Sequence, residues 1–316
     1  MVCSDSTFAR VLRWLKPLQM QRFLLKFLPR FESHDLLRKR LSPKGKKRRL
    51  GILDGTYMGG HWLVTLCLAA AINYPVMVRR CKRHGEEQGV ARELMSEASR
   101  ELGDLRPDLL LLDGLYFNVN TIEIAQAQSA QVLFKVKKPE SRTVTADAQN
   151  LFQHFGGDQE YSGFDHERQC RWRLLLTVDS FYGYPVQVAE LREFYPKRKR
   201  DRNVLSWIVT TDMSLSGEEL REAAHQRWQI ENNVFKRISH LSGTKRFYFK
   251  DHRQFFNLLH LFLAAVAVLD CILALLRPHK RLFDALRDGI KPTWRNLFSR
   301  IQEALYELPC AFRHLT

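Results

Sequence analysis

Four consecutive leucines ending in an acid, Leu109-Leu110-Leu111-Leu112-Asp113-Gly114, constrain this chain more than any other stretch. A strand with one wet face alternates apolar and polar residues; an unbroken apolar run fits a strand buried on both faces. Such strands pair in parallel, and parallel pairing needs a crossover, usually a helix that covers the sheet. The flanking sequence supplies those parts. Leu50 to Met58, His61 to Ala70 and Tyr74 to Lys82 read as three successive strands, turning at Gly59-Gly60 and Asn73. Val90 to Leu102 reads as a helix before the leucines, with a second helix near Thr121 to Gln128 and a strand at Gln131 to Lys137.

Strand, strand, strand, helix, strand, helix, strand is the order of an RNase H-like α/β core, a mixed five-stranded sheet flanked by helices. Its first part is expected over residues 49–137 and its second over 204–278. Between them, 138–203 is expected to be a largely β insertion, with Trp172 to Val178 and Pro185 to Leu191 as strands around Phe181-Tyr182-Gly183. Residues 1–48 are expected to hold two short amphipathic helices stopped by Pro29, then a basic linker ending in Lys44-Gly45-Lys46-Lys47-Arg48-Arg49. That run suits either phosphate contacts or a solvated hinge. Val204 to Thr210 reads as a strand, Ser216-Gly217-Glu218-Glu219 as a capping box opening the next helix, and 279–316 as a helical tail.

Three acids stand where a metal-dependent nucleic-acid enzyme would need them. Asp54 lies in Leu50-Gly51-Ile52-Leu53-Asp54-Gly55, Asp113 ends the leucine strand, and Glu231 lies on the helix after the capping box. Carboxylates on apolar strands cost desolvation energy unless a cation neutralises them, and hard oxygen donors favour magnesium. Two ions roughly 3.5 to 4 Å apart could then serve the attacking and leaving oxygens of a phosphodiester. Asp-Gly is also a common turn dipeptide, the alternative reading of Asp54-Gly55 and Asp113-Gly114.

With these residues the chain resembles the DDE transposases of bacterial insertion sequences, in the branch with a β insertion between the second Asp and the Glu. The Glu helix of that branch bears Tyr, two residues, Arg, three residues, Glu, six residues, Lys. Arg227 and Glu231 match at that spacing, whereas the Tyr position holds Ala224 and the Lys position Ile238, with Lys236 and Arg237 nearby. The resemblance implies catalytic, metal-binding roles for Asp54, Asp113 and Glu231, with two magnesium ions that manganese could replace. It implies a DNA contact from Arg227, whose other reading is an ordinary surface pair with Glu231, and a flipped base held by an insertion aromatic, for which Trp172 is the candidate and packing the alternative. Lys236 and Arg237, outside the matched positions, suit either backbone phosphates or a solvated charge. It further implies element ends and target DNA as partners, cut-and-paste transfer, and a homodimer on paired ends.

Charge agrees with a polyanionic partner: 50 Lys and Arg against 34 Asp and Glu give +16, with a pI near 9.8. The six scattered cysteines form no CxxC pair, which suits reduced thiols in the cytoplasm, and the resemblance implies a bacterial, nucleoid-associated protein. Arg10, Arg13 and Lys16 interrupt any secretory signal at the start of the chain. Phe255 to Leu276 is apolar enough for a membrane span, but Asn257, His260 and Asp270 interrupt it, so a buried helix is expected and no membrane partner.

Overall fold

The computed structural model describes residues 10, 13–83, 85–139, 142–196, 202–227, 235 and 251–276. Two short helices, α1 (Pro17–Leu25) and α2 (Leu28–Ser33), precede a small hairpin of β1 (Lys39–Arg40) and β2 (Lys47–Arg48). Pro29 does not end a helix here; it occupies the first turn of α2, where a missing N–H costs nothing. Part of the basic segment is docked against acids, while Lys44 and Lys46 stay exposed to solvent. Arg48 pairs with Asp212 at 2.5 Å, Lys39 with Glu222 at 3.4 Å, Lys47 with Asp35, and the largely buried Arg49 with Glu32 at 3.5 Å.

Next come β3 (Leu50–Met58), β4 (His61–Ala69), β5 (Asn73–Cys81), α3 (Glu87–Leu102), β6 (Leu109–Asp113), α4 (Val119–Ala127) and β7 (Gln131–Val136). These strands line up as β5-β4-β3-β6-β7, with β6 parallel to both β3 and β7 and the remaining pairs antiparallel. The leucine run is the centre of this order. Leu109, Leu111 and Leu112 are fully buried, as expected for a strand covered on both faces.

The 138–203 segment is not purely β. It opens with a 12-residue helix, α5 (Thr143–His154), whose Val144, Ala148 and Phe152 fall on one buried stripe. It continues as β8 (Gln159–Asp165), β9 (Cys170–Phe181) and β10 (Tyr184–Tyr195), followed by β11 (Arg202–Thr210). These strands extend the same sheet, which among the described residues has nine strands in the order β5-β4-β3-β6-β7-β11-β10-β9-β8. The join is β11, antiparallel to β7 on one side and to β10 on the other.

Ser216 caps α6 (Gly217–Gln226) as a full capping box with Glu219, satisfying end N–H groups that otherwise lack partners. The apolar helix α7 (His252–Leu276) packs on α1 and β5, and Phe255 rests against the His61 ring at 4.9 Å. By length and composition it could cross a membrane. Asn257, one of its polar interruptions, is fully buried and donates to the Leu15 carbonyl at 2.8 Å, and its His260 is also buried against the Phe256 carbonyl.

Candidate active site

The parallel register of β3 and β6 pairs Leu53 with Leu112, so the next residues along the two strands, Asp54 and Asp113, come side by side at their carboxyl ends. Successive strand residues face opposite ways, which turns both acids away from the side that Leu53 and Leu112 fill. A single nitrogen joins them. Arg227 Nη1 lies 3.4 Å from Asp54 Oδ2 and 3.5 Å from Asp113 Oδ2. Two carboxylates far apart in sequence therefore share one cation.

The turn reading fails for Asp54-Gly55 but not for Asp113-Gly114, which passes from the end of β6 into a one-turn 3-10 helix over Gly114–Tyr116. Asp54-Gly55 lies within β3, where a side chain at Gly55 would meet Glu87 Oε2 at 2.8 Å and the Tyr116 hydroxyl at 3.3 Å. At Gly114 an added Cβ would press on the β7 backbone, 3.1 Å from Val136 Cα and 3.2 Å from the Lys135 carbonyl oxygen. Glycine at both positions permits close approach behind the acids.

Positive charge surrounds the pair. Lys137 Nζ stands 3.6 Å from Asp113 Oδ2, and Lys135 is the register partner of Asp113 on β7. Burial, helped by the nearby Arg227 charge, lowers the Lys135 pKa to about 8 against the opposing pull of Glu193 and Asp113. Tyr116, behind the acids, has a buried hydroxyl with no hydrogen-bond partner, and its pKa is raised by burial first and then by Asp54 and Glu87. Arg227 is itself buried, and its Nε lacks a hydrogen-bond partner.

Lys135, Lys137 and Tyr116 escaped the sequence reading. One signal was present: Lys135 is the lone charge inside Val132-Leu133-Phe134-Lys135-Val136, and a charge in a covered strand needs a partner. Of the expected site residues, Asp54, Asp113 and Arg227 converge, whereas Glu231, Lys236 and Arg237 lie outside the described residues. Among the described residues no three His, Cys, Asp or Glu side chains gather as a metal cage. Trp172 lies apart on β9, half-buried, opposite Gly163 in register, with the Arg221 guanidinium 5.2 Å above its ring. A base stacking on that face would have to displace the guanidinium.

Comparison with known families decides the wider identity: a transposase DDE domain family matches residues 74–267, well over half of the chain. This chain belongs to that family. The matched DDE-domain segment contains Asp113, Arg227 and Glu231, and Asp54 stands before it. Among solved structures, the piggyBac transposase synaptic complex with hairpin DNA aligns at TM-score 0.35 and 7% identity, over 73% of this chain and 42% of that one. A S-adenosylmethionine-dependent methyltransferase from Clostridium acetobutylicum aligns at TM-score 0.16 and 8% identity, over 43% of this chain and 59% of that one. Overlaps this loose carry no argument about mechanism. No curated protein matches the sequence.

Proposed function

We propose that this DDE-family protein is a magnesium-dependent transposase built on an RNase H-like core, which cleaves DNA at the ends of a mobile element and transfers the resulting 3′-hydroxyl into target DNA. The observation that carries this reading is the meeting of Asp54 and Asp113 at the ends of parallel strands, on the guanidinium of Arg227. The β5-β4-β3-β6-β7 strand order supports the RNase H-like assignment.

The donor chemistry fits a hard divalent cation. Asp54 and Asp113 offer adjacent carboxylate oxygens that Arg227 and Lys137 neutralise in this structure, and Glu231 is the proposed third ligand. When bound, magnesium supplies the positive charge that activates an attacking oxygen and stabilises a leaving one, and manganese is expected to substitute. Arg227 would hold a phosphate of the scissile strand through its unpartnered Nε, releasing part of its hold on the acids. Lys135 and Lys137 add positive potential beside Asp113 that draws the DNA backbone into the site. Lys236, Arg237 and Trp172 are proposed as further DNA contacts, and a homodimer would bring two element ends together.

The deciding experiment incubates purified protein with element-end duplexes and magnesium, then supplies pre-cleaved 3′-hydroxyl ends with target DNA. Cleavage followed by joining is expected. Cleavage without joining would reassign the protein as a nuclease, and DNA binding with neither reaction would reassign it as a transposase-derived binding protein.

A further inference from the structure

The insertion contributes a buried carboxylate to the element that carries Arg227. Glu193 of β10 keeps only 2% of its side chain exposed, and two residues of α6 converge on its Oε1. Arg221 donates from Nε at 2.9 Å and His225 Nε2 lies 2.9 Å away. These residues are four apart, one helical turn, so they share a helix face. Arg221 also donates to Asp165 of β8 at 2.8 Å, and Arg168 ties Asp165 to Glu222 of α6 at 2.8 and 2.9 Å. The Tyr195 hydroxyl reaches the other Glu193 oxygen at 3.3 Å, and Cys170 Sγ lies 3.2 Å from Arg221.

Apolar packing alone lets a helix slide or roll by a fraction of a turn at small cost, because dispersion and burial are not directional. Two donors one turn apart that meet one buried oxygen do not allow this: a roll breaks both bonds, and a slide breaks one while leaving a charge buried without its partner. Arg227 follows His225 by two residues and ends on Asp54 and Asp113. The geometry therefore links an insertion carboxylate to the candidate active site through about two turns of helix.

We propose that Glu193 is a positioning residue for this site. By gripping Arg221 and His225 it sets the roll and axial position of α6, and so the placement of Arg227 on the two aspartates. The inference rests on the reading of Asp54 and Asp113 as the cleavage site, and it gives the insertion a role beyond any contact with DNA.

The test uses the full chain with Glu193→Gln, Arg221→Gln and, as a control, Glu160→Gln, whose partner Arg173 is an exposed pair on β8 and β9. Hydrogen exchange is followed in the 217–227 segment, and magnesium-dependent cleavage of element ends is resolved into kcat and KM. Glu193→Gln and Arg221→Gln should each speed exchange in that segment and lower kcat by about tenfold or more, with KM for DNA changed less than about twofold; Glu160→Gln should change neither. Unaltered exchange in both variants, or wild-type kcat in both, overturns the proposal. If both variants unfold so that exchange rises throughout the chain, the network is a folding element and the proposal also fails. A wild type that does not cleave DNA refutes the functional reading instead, and the exchange measurement then decides the positioning claim alone.

Discussion

Arg227 holds Asp54 at 3.4 Å by the same nitrogen that reaches Asp113, so two strands and a helix close on one point. Two carboxylates this close repel unless a cation lies with them, and the guanidinium is that cation in this structure. A bound divalent ion would take over the same electrostatic task, leaving Arg227 available to a phosphate.

That exchange of partners predicts how Arg227→Ala behaves. In chelator, loss of the guanidinium leaves Asp54 and Asp113 less well neutralised and should destabilise the fold by about 1 to 3 kcal/mol, below the cost for a fully buried pair because both acids are partly exposed. Magnesium should raise the melting temperature of the variant by more than it raises that of the wild type. Equal shifts in thermal melts with and without magnesium would mean that Arg227 and the ion do not share the two acids.

DNA binding should depend steeply on salt. The +16 balance favours phosphate contacts, and a protein that neutralises several phosphates loses on the order of a thousandfold in affinity between 50 and 200 mM salt. Fluorescence anisotropy on random and element-end duplexes at both concentrations measures this, and a flat response would remove nucleic acid as the main partner.

Much of this site was legible because strand burial and acid placement are local signals. The leucine run gave a covered strand with Asp113 at its end, and Leu50 to Leu53 did the same for Asp54. The parallel pairing that sets those acids side by side followed from the crossover helix between them. The union of β8, β9 and β10 with the strands β3 to β7 in one sheet was not legible, because it depends on which strands β11 chooses, and Val204 to Thr210 carries no local mark of its partners. The α5 helix went unread although Val144, Ala148, Leu151 and Phe152 follow helical spacing; the strand signals that come after it dominated the segment. Pro29 misled because proline both ends helices and opens them. Lys135 is a single charge whose partners come from other elements, so nothing near it in sequence explains it.

Acid should loosen β8 and β10 from α6. Burial alone would raise the Glu193 pKa, but the hydrogen bond from His225 and the charges of His225 and Arg221 outweigh it and take the group down to about 2. A carboxylate depressed in the fold contributes stability that is present above its unfolded pKa, near 4.5, and is lost as pH falls toward 2. Asp165, also held low once its bonds to Arg168 and Arg221 offset burial, acts in the same direction. Stability measured from pH 5 to pH 2 should fall less steeply for Glu193→Gln than for the wild type, and parallel curves would count against this assignment.

Gly114→Ala tests the close approach behind Asp113. The added methyl meets the β7 backbone at 3.1 and 3.2 Å, and backbone cannot swing aside as a side-chain end can. Overpacking of this kind costs about 1 to 3 kcal/mol, which urea unfolding would register. Asp113 should be displaced with it, so cleavage should fall along with stability. A variant of unchanged stability would show that the strand end yields freely.

Glu231→Gln separates chemistry from binding. Glu231 follows Arg227 by four residues, the spacing that a helix turns into a shared face, and it is the proposed third metal ligand beside Asp54 and Asp113. The amide keeps the shape of the side chain but loses the charge that holds a divalent ion. Cleavage and strand transfer should therefore be abolished in magnesium while affinity for element-end DNA, set mainly by phosphate contacts elsewhere, stays within about twofold. Arg227→Ala should do the reverse in part, slowing cleavage while also weakening the hold on the DNA end through a lost phosphate contact. Gel assays of nicking and joining, run beside anisotropy titrations on the same duplexes, read both effects. If the Glu231→Gln protein cuts element ends as fast as an active wild type, Glu231 is not the third ligand, and the acid that completes the site with Asp54 and Asp113 must be sought elsewhere.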